Sequence, residues 1–265
     1  MNVVDLDPAR VGEYLLCLEE WSPEMKEAGN RKRKWFERYK SDGLRVKLAV
    51  DDDGTVGGMI QYLPIEKSFV DGEGLYMIHC IWVHGYKEGR GNRRNRGMGR
   101  ALIAAAEADA RALGAKGIAA WGITLPFWMK ASWFKKYGFE AADKNGMAVL
   151  MWKPFTPDAK KPKWIPERFD AAPEPGKVNI VAFTNGWCPA QNIVYERAKR
   201  ACAEVGSRYP GKVSFREFDT MEKGAIIACG QTDAFFIDGK QVRTGPPPSY
   251  EKIRKMIEKR AKKSK

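Results

Sequence analysis

The sequence predicts a protein of the α/β (α+β) class, and three observations carry that expectation. A β-branched and aromatic run, Leu75–Val83, leads through a glycine- and arginine-rich loop into an alanine-rich helix. A hairpin of alternating strands precedes it. A second alternation of strands and helices follows a proline-rich stretch beyond residue 153.

Taken in order, Val46–Val50 and Val56–Leu63 alternate in polarity and are joined by Asp51-Asp52-Asp53-Gly54, a turn-forming run. Leu75–Val83 reads as a largely buried strand. After an insertion, Arg94-Asn95-Arg96-Gly97-Met98-Gly99 opens a helix from Arg100 that stops at Gly114, since alanine dominates and glycine ends it. The free N–H groups of such a helix start form an anion cradle, and Gly97 and Gly99 let a phosphate approach the main chain. Gly117–Ile123 reads as the next strand, and Ala131–Phe139 as a helix running into Gly138-Phe139.

Six prolines fall between Pro154 and Gly176, a spacing that leaves no helical or strand period. This stretch is predicted to be a linker, with Trp164, Ile165 and Phe169 packing on something. Beyond it come a strand at Val178–Phe183, the segment Thr184–Gln191 containing Trp187-Cys188-Pro189, and a helix to about residue 205. A strand at Lys212–Asp219, a short helix at Met221–Ala228, strands at Ala234–Asp238 and Gln241–Thr244, and a last helix from Pro248 follow. The expected domains are therefore 1–153 and 177–265, with 154–176 between them.

The first part resembles the GNAT superfamily of acyl-CoA-dependent N-acetyltransferases. The strand ending in Val83, the Arg94-x-x-Gly97-x-Gly99 spelling, the helix after it and the Gly138-Phe139 ending carry the resemblance. It implies a mixed, mostly antiparallel sheet and acetyl-CoA as cosubstrate. It also implies that main-chain groups of Ile81, Trp82 and Val83 hold the pantetheine. Arg94, Asn95, Arg96, Gly97, Met98, Gly99 and Arg100 would hold the pyrophosphate. The family's usual thiolate acid is a tyrosine four residues before the Gly of Gly-Phe. Here that position is Phe134, which has no proton to donate, and Tyr137 lies at a different angle, about 300° further round at ~100° per residue.

The second part resembles a thioredoxin-like fold, and more narrowly the small YoaP-like domain found behind GNAT domains. Cys188 opens a helix, where N–H groups and the helix dipole favour a thiolate. Gln191 stands where a thioredoxin has its second cysteine, and Gln231-Thr232-Asp233 replaces the proline before the third strand, which argues against dithiol oxidoreductase chemistry. Two readings of Cys188 stand open: a reactive thiol, with Cys229 as an oxidation partner, or part of a fold used for binding.

His79 and His84 are the two histidines. In the arylalkylamine branch of the superfamily a strand histidine at the place of His79 lies in the catalytic region, so His79 is a candidate base for the incoming amine; the other reading is a satisfied core histidine. His84 reads as a loop residue. Phe127, Trp128, Trp133 and Trp121 suggest an aromatic wall, which favours a small or partly apolar primary amine as acceptor.

At 265 residues, with 44% hydrophobic and 11% aromatic residues, the chain can bury two cores. No apolar run approaches the ~18 residues of a membrane span. The amino terminus lacks the layout of a secretion signal, and five scattered cysteines suggest a reducing cytoplasm. Of the net charge of +13, residues 87–100 supply +5 and residues 251–265 supply +6. The first cluster coincides with the phosphate cradle, so the charge argues weakly for nucleic acid, although Arg31–Lys34 is a further basic run. The alternative to a transferase is a CoA-binding protein with a thiol-reactive or partner-binding second domain.

Overall fold

The computed structural model describes residues 1–125, 129–169, 172–242 and 247–263. The expectations for Phe127, Trp128 and Thr244 lie outside these. The chain forms two compact units: Met1–Ser22 with Phe36–Ile165, and Pro23–Trp35 with Pro166–Lys265.

The first unit is built on strands β1 (Asn2–Asp5), β2 (Arg45–Val50), β3 (Val56–Pro64), β4 (Val70–Asp71), β5 (Leu75–Val83), β6 (Gly117–Ile123), β7 (Glu140–Asn145), β8 (Ala148–Pro154) and β9 (Lys163–Trp164). Its helices are α1 (Val11–Leu15), the end of α2 (Pro23–Tyr39), α3 (Met98–Ala112) and α4 (Ala131–Lys135). Seven strands pair in the order β1-β2-β3-β5-β6-β8-β7. Every neighbouring pair is antiparallel except β5 with β6. A mixed α/β architecture with a mostly antiparallel sheet is thus observed.

Helix α3 lays Leu102, Ile103, Ala106 and Ala110 against Ile60, Tyr62, Ile78 and Ala120 of the sheet. These positions recur at helical spacing, and burying each large side chain contributes about 1.5–3 kcal/mol. At the solvent edge of this packing Asp109 accepts two bonds from Arg45 and one from Tyr62. The proline-rich stretch, expected to hold no strand, contains a short one. Its residues Lys163 and Trp164 form β9 against β4, and Trp164 stacks on Phe69 at 6.2 Å.

The second unit holds β10 (Val178–Thr184), α5 (Pro189–Arg208), β11 (Val213–Asp219), α6 (Lys223–Cys229), β12 (Phe235–Ile237), β13 (Lys240–Gln241) and α7 (Tyr250–Ala261). The strand order is β11-β10-β12-β13. Strand β10 runs parallel to β11 and antiparallel to β12. Val178, Ile180 and Ala182 face a core with α5 and α7, while Val181, Phe183 and Phe236 on the other face pack with Phe169, Phe218 and Cys229. This is the alternation expected of a strand buried on both sides.

Residues Pro23–Trp35 of α2 group with this unit because their charges answer those of α5. Arg31 bonds Glu196 at 2.8 Å and stacks over the Tyr195 ring at 3.9 Å, and Arg197 bonds Glu24 at 2.8 Å. Lys32 is buried. Within the basic run Arg31–Lys34, Arg31 is thus paired and Lys32 enclosed, while Arg33 and Lys34 are exposed.

Candidate functional site

Strand β5 is regular on paper and irregular in space. Its ladder with β3 pairs Tyr62 with Ile78 and Gln61 with Cys80, leaving His79 as the extra residue of a β-bulge. At the same place its parallel pairing with β6 ends, at Ile78 opposite Ala120, although the two strands continue to Val83 and Ile123. Beyond His79 the β6-facing edge of β5 has no ladder partner among the described residues. Main-chain groups of Ile81, Trp82 and Val83 thus stand at an open strand edge, the geometry a ligand with amide groups can add to.

The edge leads toward the start of α3. Gly97 is the residue before the helix and has φ 82°, the left-handed region in which a side chain costs roughly 1–2 kcal/mol. Its carbonyl accepts from Ala101 N–H at 3.0 Å, so the N–H groups of Met98, Gly99 and Arg100 precede the first helical partner and are available to an anion. Met98 is buried beneath them, and a Cβ on Gly99 would stand 3.1 Å from the Trp133 ring. Asn95 also takes a left-handed conformation, with φ 63°, and turns the loop toward the helix.

The arginines of the loop divide into two groups, which the sequence does not reveal. Arg93 bonds Asp51 and Asp53 at 2.7 and 2.9 Å, and Arg96 bonds Asp51 at 2.8 Å. Arg90 pairs with Glu13 at 2.9 Å and with Glu20, and donates to the carbonyl of Val56. These bonds fasten the loop to the β2–β3 turn and to α1. Arg94 and Arg100 are exposed and have no ion-pair partner among the described residues; Arg94 lies 5.9 Å from the Trp82 ring. Positive charge is therefore free at the two ends of the cradle, while Arg96 is engaged by Asp51.

His79 is 2% exposed. Its Nε2 lies 2.9 Å from the Ser68 hydroxyl, and its ring meets Phe69 edge-on at 4.9 Å. Burial pushes its pKa down to about 3, so the ring is neutral and a weak base. Its burial and its contact with Ser68 favour the core-histidine reading over the candidate base. Its carbonyl accepts from the Trp121 indole at 2.8 Å. His84, expected in a loop, is also buried; its N–H continues the ladder to Gly57 and its Nδ1 lies 2.8 Å from the carbonyl of Gly91.

Phe134 is fully buried between Trp133 and Phe139, at 5.1 and 5.5 Å. It packs the core, so the residue expected against the cofactor is enclosed; Trp133 and Tyr137 beside it are half-buried and meet edge-on at 4.7 Å. Because α4 ends at Lys135, the helical angle expected between Phe134 and Tyr137 does not apply.

In the second unit Cys188 precedes α5, 4% exposed, and its N–H donates to Asn185 Oδ1 at 3.1 Å. Cys229 lies on the face of the sheet away from α5 and its thiol bonds its own helix at Ala225. Cys188 and Cys229 thus belong to different packing groups, and none of the five cysteines is in a disulfide. No group of side chains suited to a metal ion occurs among the described residues.

An open strand edge ending at the uncapped start of a long helix defines a site for an extended, phosphate-bearing ligand. Residues 10–139, just under half of the chain, match the family model described as the Acetyltransferase (GNAT) family. Over that span the first unit is similar to this family of acetyltransferases. No curated protein matches the sequence. Among solved structures the chain is similar to a GNAT acetyltransferase from Brucella melitensis in complex with acetyl-CoA, at 20% identity, covering 60% of this chain and 91% of that one, with TM-score 0.42. For YhbS from Escherichia coli in complex with CoA the values are 15%, 62%, 88% and 0.43. For the PaiA N-acetyltransferase from Thermoplasma acidophilum in complex with coenzyme A they are 16%, 58%, 100% and 0.43.

Proposed function

We propose that the first unit transfers an acetyl group from acetyl-CoA to a primary amine, a small molecule in the simplest case. The observation that carries this reading is the unpaired edge of β5 beyond His79, which runs toward the free N–H groups at the start of α3. Ile81, Trp82 and Val83 would offer main-chain donors and acceptors to the pantetheine amides and the thioester carbonyl. Met98, Gly99 and Arg100 N–H groups, with the side chains of Arg94 and Arg100, would hold the pyrophosphate, where several donors and the helix dipole converge on negative charge.

The amine nitrogen attacks the thioester carbonyl, the C–S bond breaks, and CoA leaves as its thiol. Phe134 has no proton to give. Tyr137, packed on Trp133, is the phenol of that segment able to protonate the leaving sulfur.

For the second unit we propose a thioredoxin-like, YoaP-like module that binds a protein partner. The strand order β11-β10-β12-β13 and the helix opened by Cys188-Pro189 support it. Five cysteines outside any disulfide suit a reducing cytoplasm, and no described helix is long and apolar enough to cross a membrane.

Thiol release from acetyl-CoA, measured with and without a library of primary amines, tests the transferase reading. Amine-dependent release supports it. Tight acetyl-CoA binding with no release for any amine favours instead a CoA-binding protein without turnover.

A further inference from the structure

The bulge at His79 needs an explanation of its own. Strands β5 and β6 already run parallel and paired from Leu75 to Ile78, and nothing in their apolar sequences stops the ladder there. Continuing it would satisfy more main-chain groups, which is the default for adjacent strands. It would also consume the edge on which the proposed ligand depends.

Three contacts oppose closure. The His79 ring is anchored at the bulge by the Ser68 hydroxyl at 2.9 Å and by the edge-on Phe69 ring. The Trp121 indole donates to the His79 carbonyl at 2.8 Å, taking an acceptor that a main-chain N–H of β6 would otherwise use. Trp121 itself is fixed from the other side, its residue pairing with Leu150 of β8. A side chain thus satisfies the His79 carbonyl in place of a strand partner.

We infer that His79, Ser68 and Trp121 form a lock that holds β5 apart from β6 and so keeps the acyl-CoA edge open, which makes them positioning residues. The inference rests on the acetyltransferase reading of the same site. Without the lock, β5 and β6 can extend their parallel ladder into Cys80–Val83, and a one-residue change of register reverses which side chains face the core.

The test compares two ligands by calorimetry: acetyl-CoA, and 3′-phospho-ADP, the portion of CoA that ends at the pyrophosphate and does not reach β5. Trp121→Phe and His79→Leu should each bind acetyl-CoA about tenfold more weakly, about 1.4 kcal/mol, while binding 3′-phospho-ADP as the wild type does. His79→Gln, whose amide can replace the bond from Nε2 to Ser68, should recover acetyl-CoA affinity to within about threefold of wild type. A general loosening of the fold would weaken both ligands and would not be rescued by Gln. Wild-type acetyl-CoA affinity in both Trp121→Phe and His79→Leu, or equal loss of both ligands, overturns the lock while leaving the transferase reading intact. A wild-type protein that binds neither ligand overturns both.

Discussion

The phenol of Tyr62 donates to the Asp109 carboxylate at 2.6 Å, joining the middle of the sheet to helix α3. Arg45 and Lys47 converge on the same carboxylate, at 2.8 and 3.2 Å. Burial alone would raise the pKa of Asp109; the bonds from Arg45, Tyr62 and Lys47 outweigh it and bring the carboxyl down to about 2. Helix α3 carries the proposed phosphate cradle at its start, so this network also fixes where that helix start sits.

Asp109 therefore stabilises the fold above its unfolded pKa, and that contribution fades as pH falls from about 4 toward 2. Asp109→Asn should destabilise the protein at pH 7 by about 2 kcal/mol, the range for losing charge-assisted bonds. The gap to wild type in thermal midpoint should narrow steadily below pH 4. A gap that is the same at pH 7 and pH 3 would mean that packing, not ionisation, sets the effect.

Asp233 shows the opposite sign. Desolvation pushes its carboxyl up to about 6, against the bonds from Thr232 and Asn185. The folded state keeps a proton that the unfolded state has lost, so stability falls as pH rises from about 4 to about 6 and stays lower above that. Asp233→Asn should raise the melting temperature at pH 7 and leave it nearly unchanged at pH 4. Destabilisation at pH 7 would show that the ionised carboxylate has a partner worth more than its burial costs.

The division among the cradle arginines predicts an order of effects. Arg94→Ala and Arg100→Ala should each weaken acetyl-CoA binding several-fold at low salt, because their charges are free to meet phosphate. Arg96→Ala should weaken it less, since Asp51 already engages Arg96. Calorimetry at two salt concentrations measures this. Arg96 emerging as the dominant contributor would mean that the loop rearranges on binding.

Cys188 and Cys229 should not form a disulfide on mild oxidation, because Cys229 packs on the face of the sheet away from α5. Burial pushes the Cys202 thiol up to about 12, so it should alkylate slowly at neutral pH. Peptide mass spectrometry after oxidation and after brief iodoacetamide treatment reads both. A Cys188–Cys229 cross-link would show that this region opens further than its packing indicates.

Much of the fold was legible in the chain. Leu75–Val83 and Gly117–Ile123 read as strands from their apolar, β-branched runs, and both boundaries agree with the structure. The start of α3 was visible because glycine and alanine change the local preference within two residues. The β7–β8 hairpin was missed although Asn145-Gly146 marks it, with Gly146 at φ 57° beginning a two-residue connection. Its strands carry charged residues that hide their period.

By itself the sequence determined most of the elements and the glycine at the start of α3, because these depend on neighbours a few residues apart. Tertiary structure alone decided which arginines remain free, since Asp51 and Glu20 lie 45 and 70 residues from their partners. It also decided the fate of His79. A strand histidine looks the same in sequence whether it faces an amine or a serine, and only the bulge, Ser68 and Trp121, brought together by packing, make it a neutral core residue.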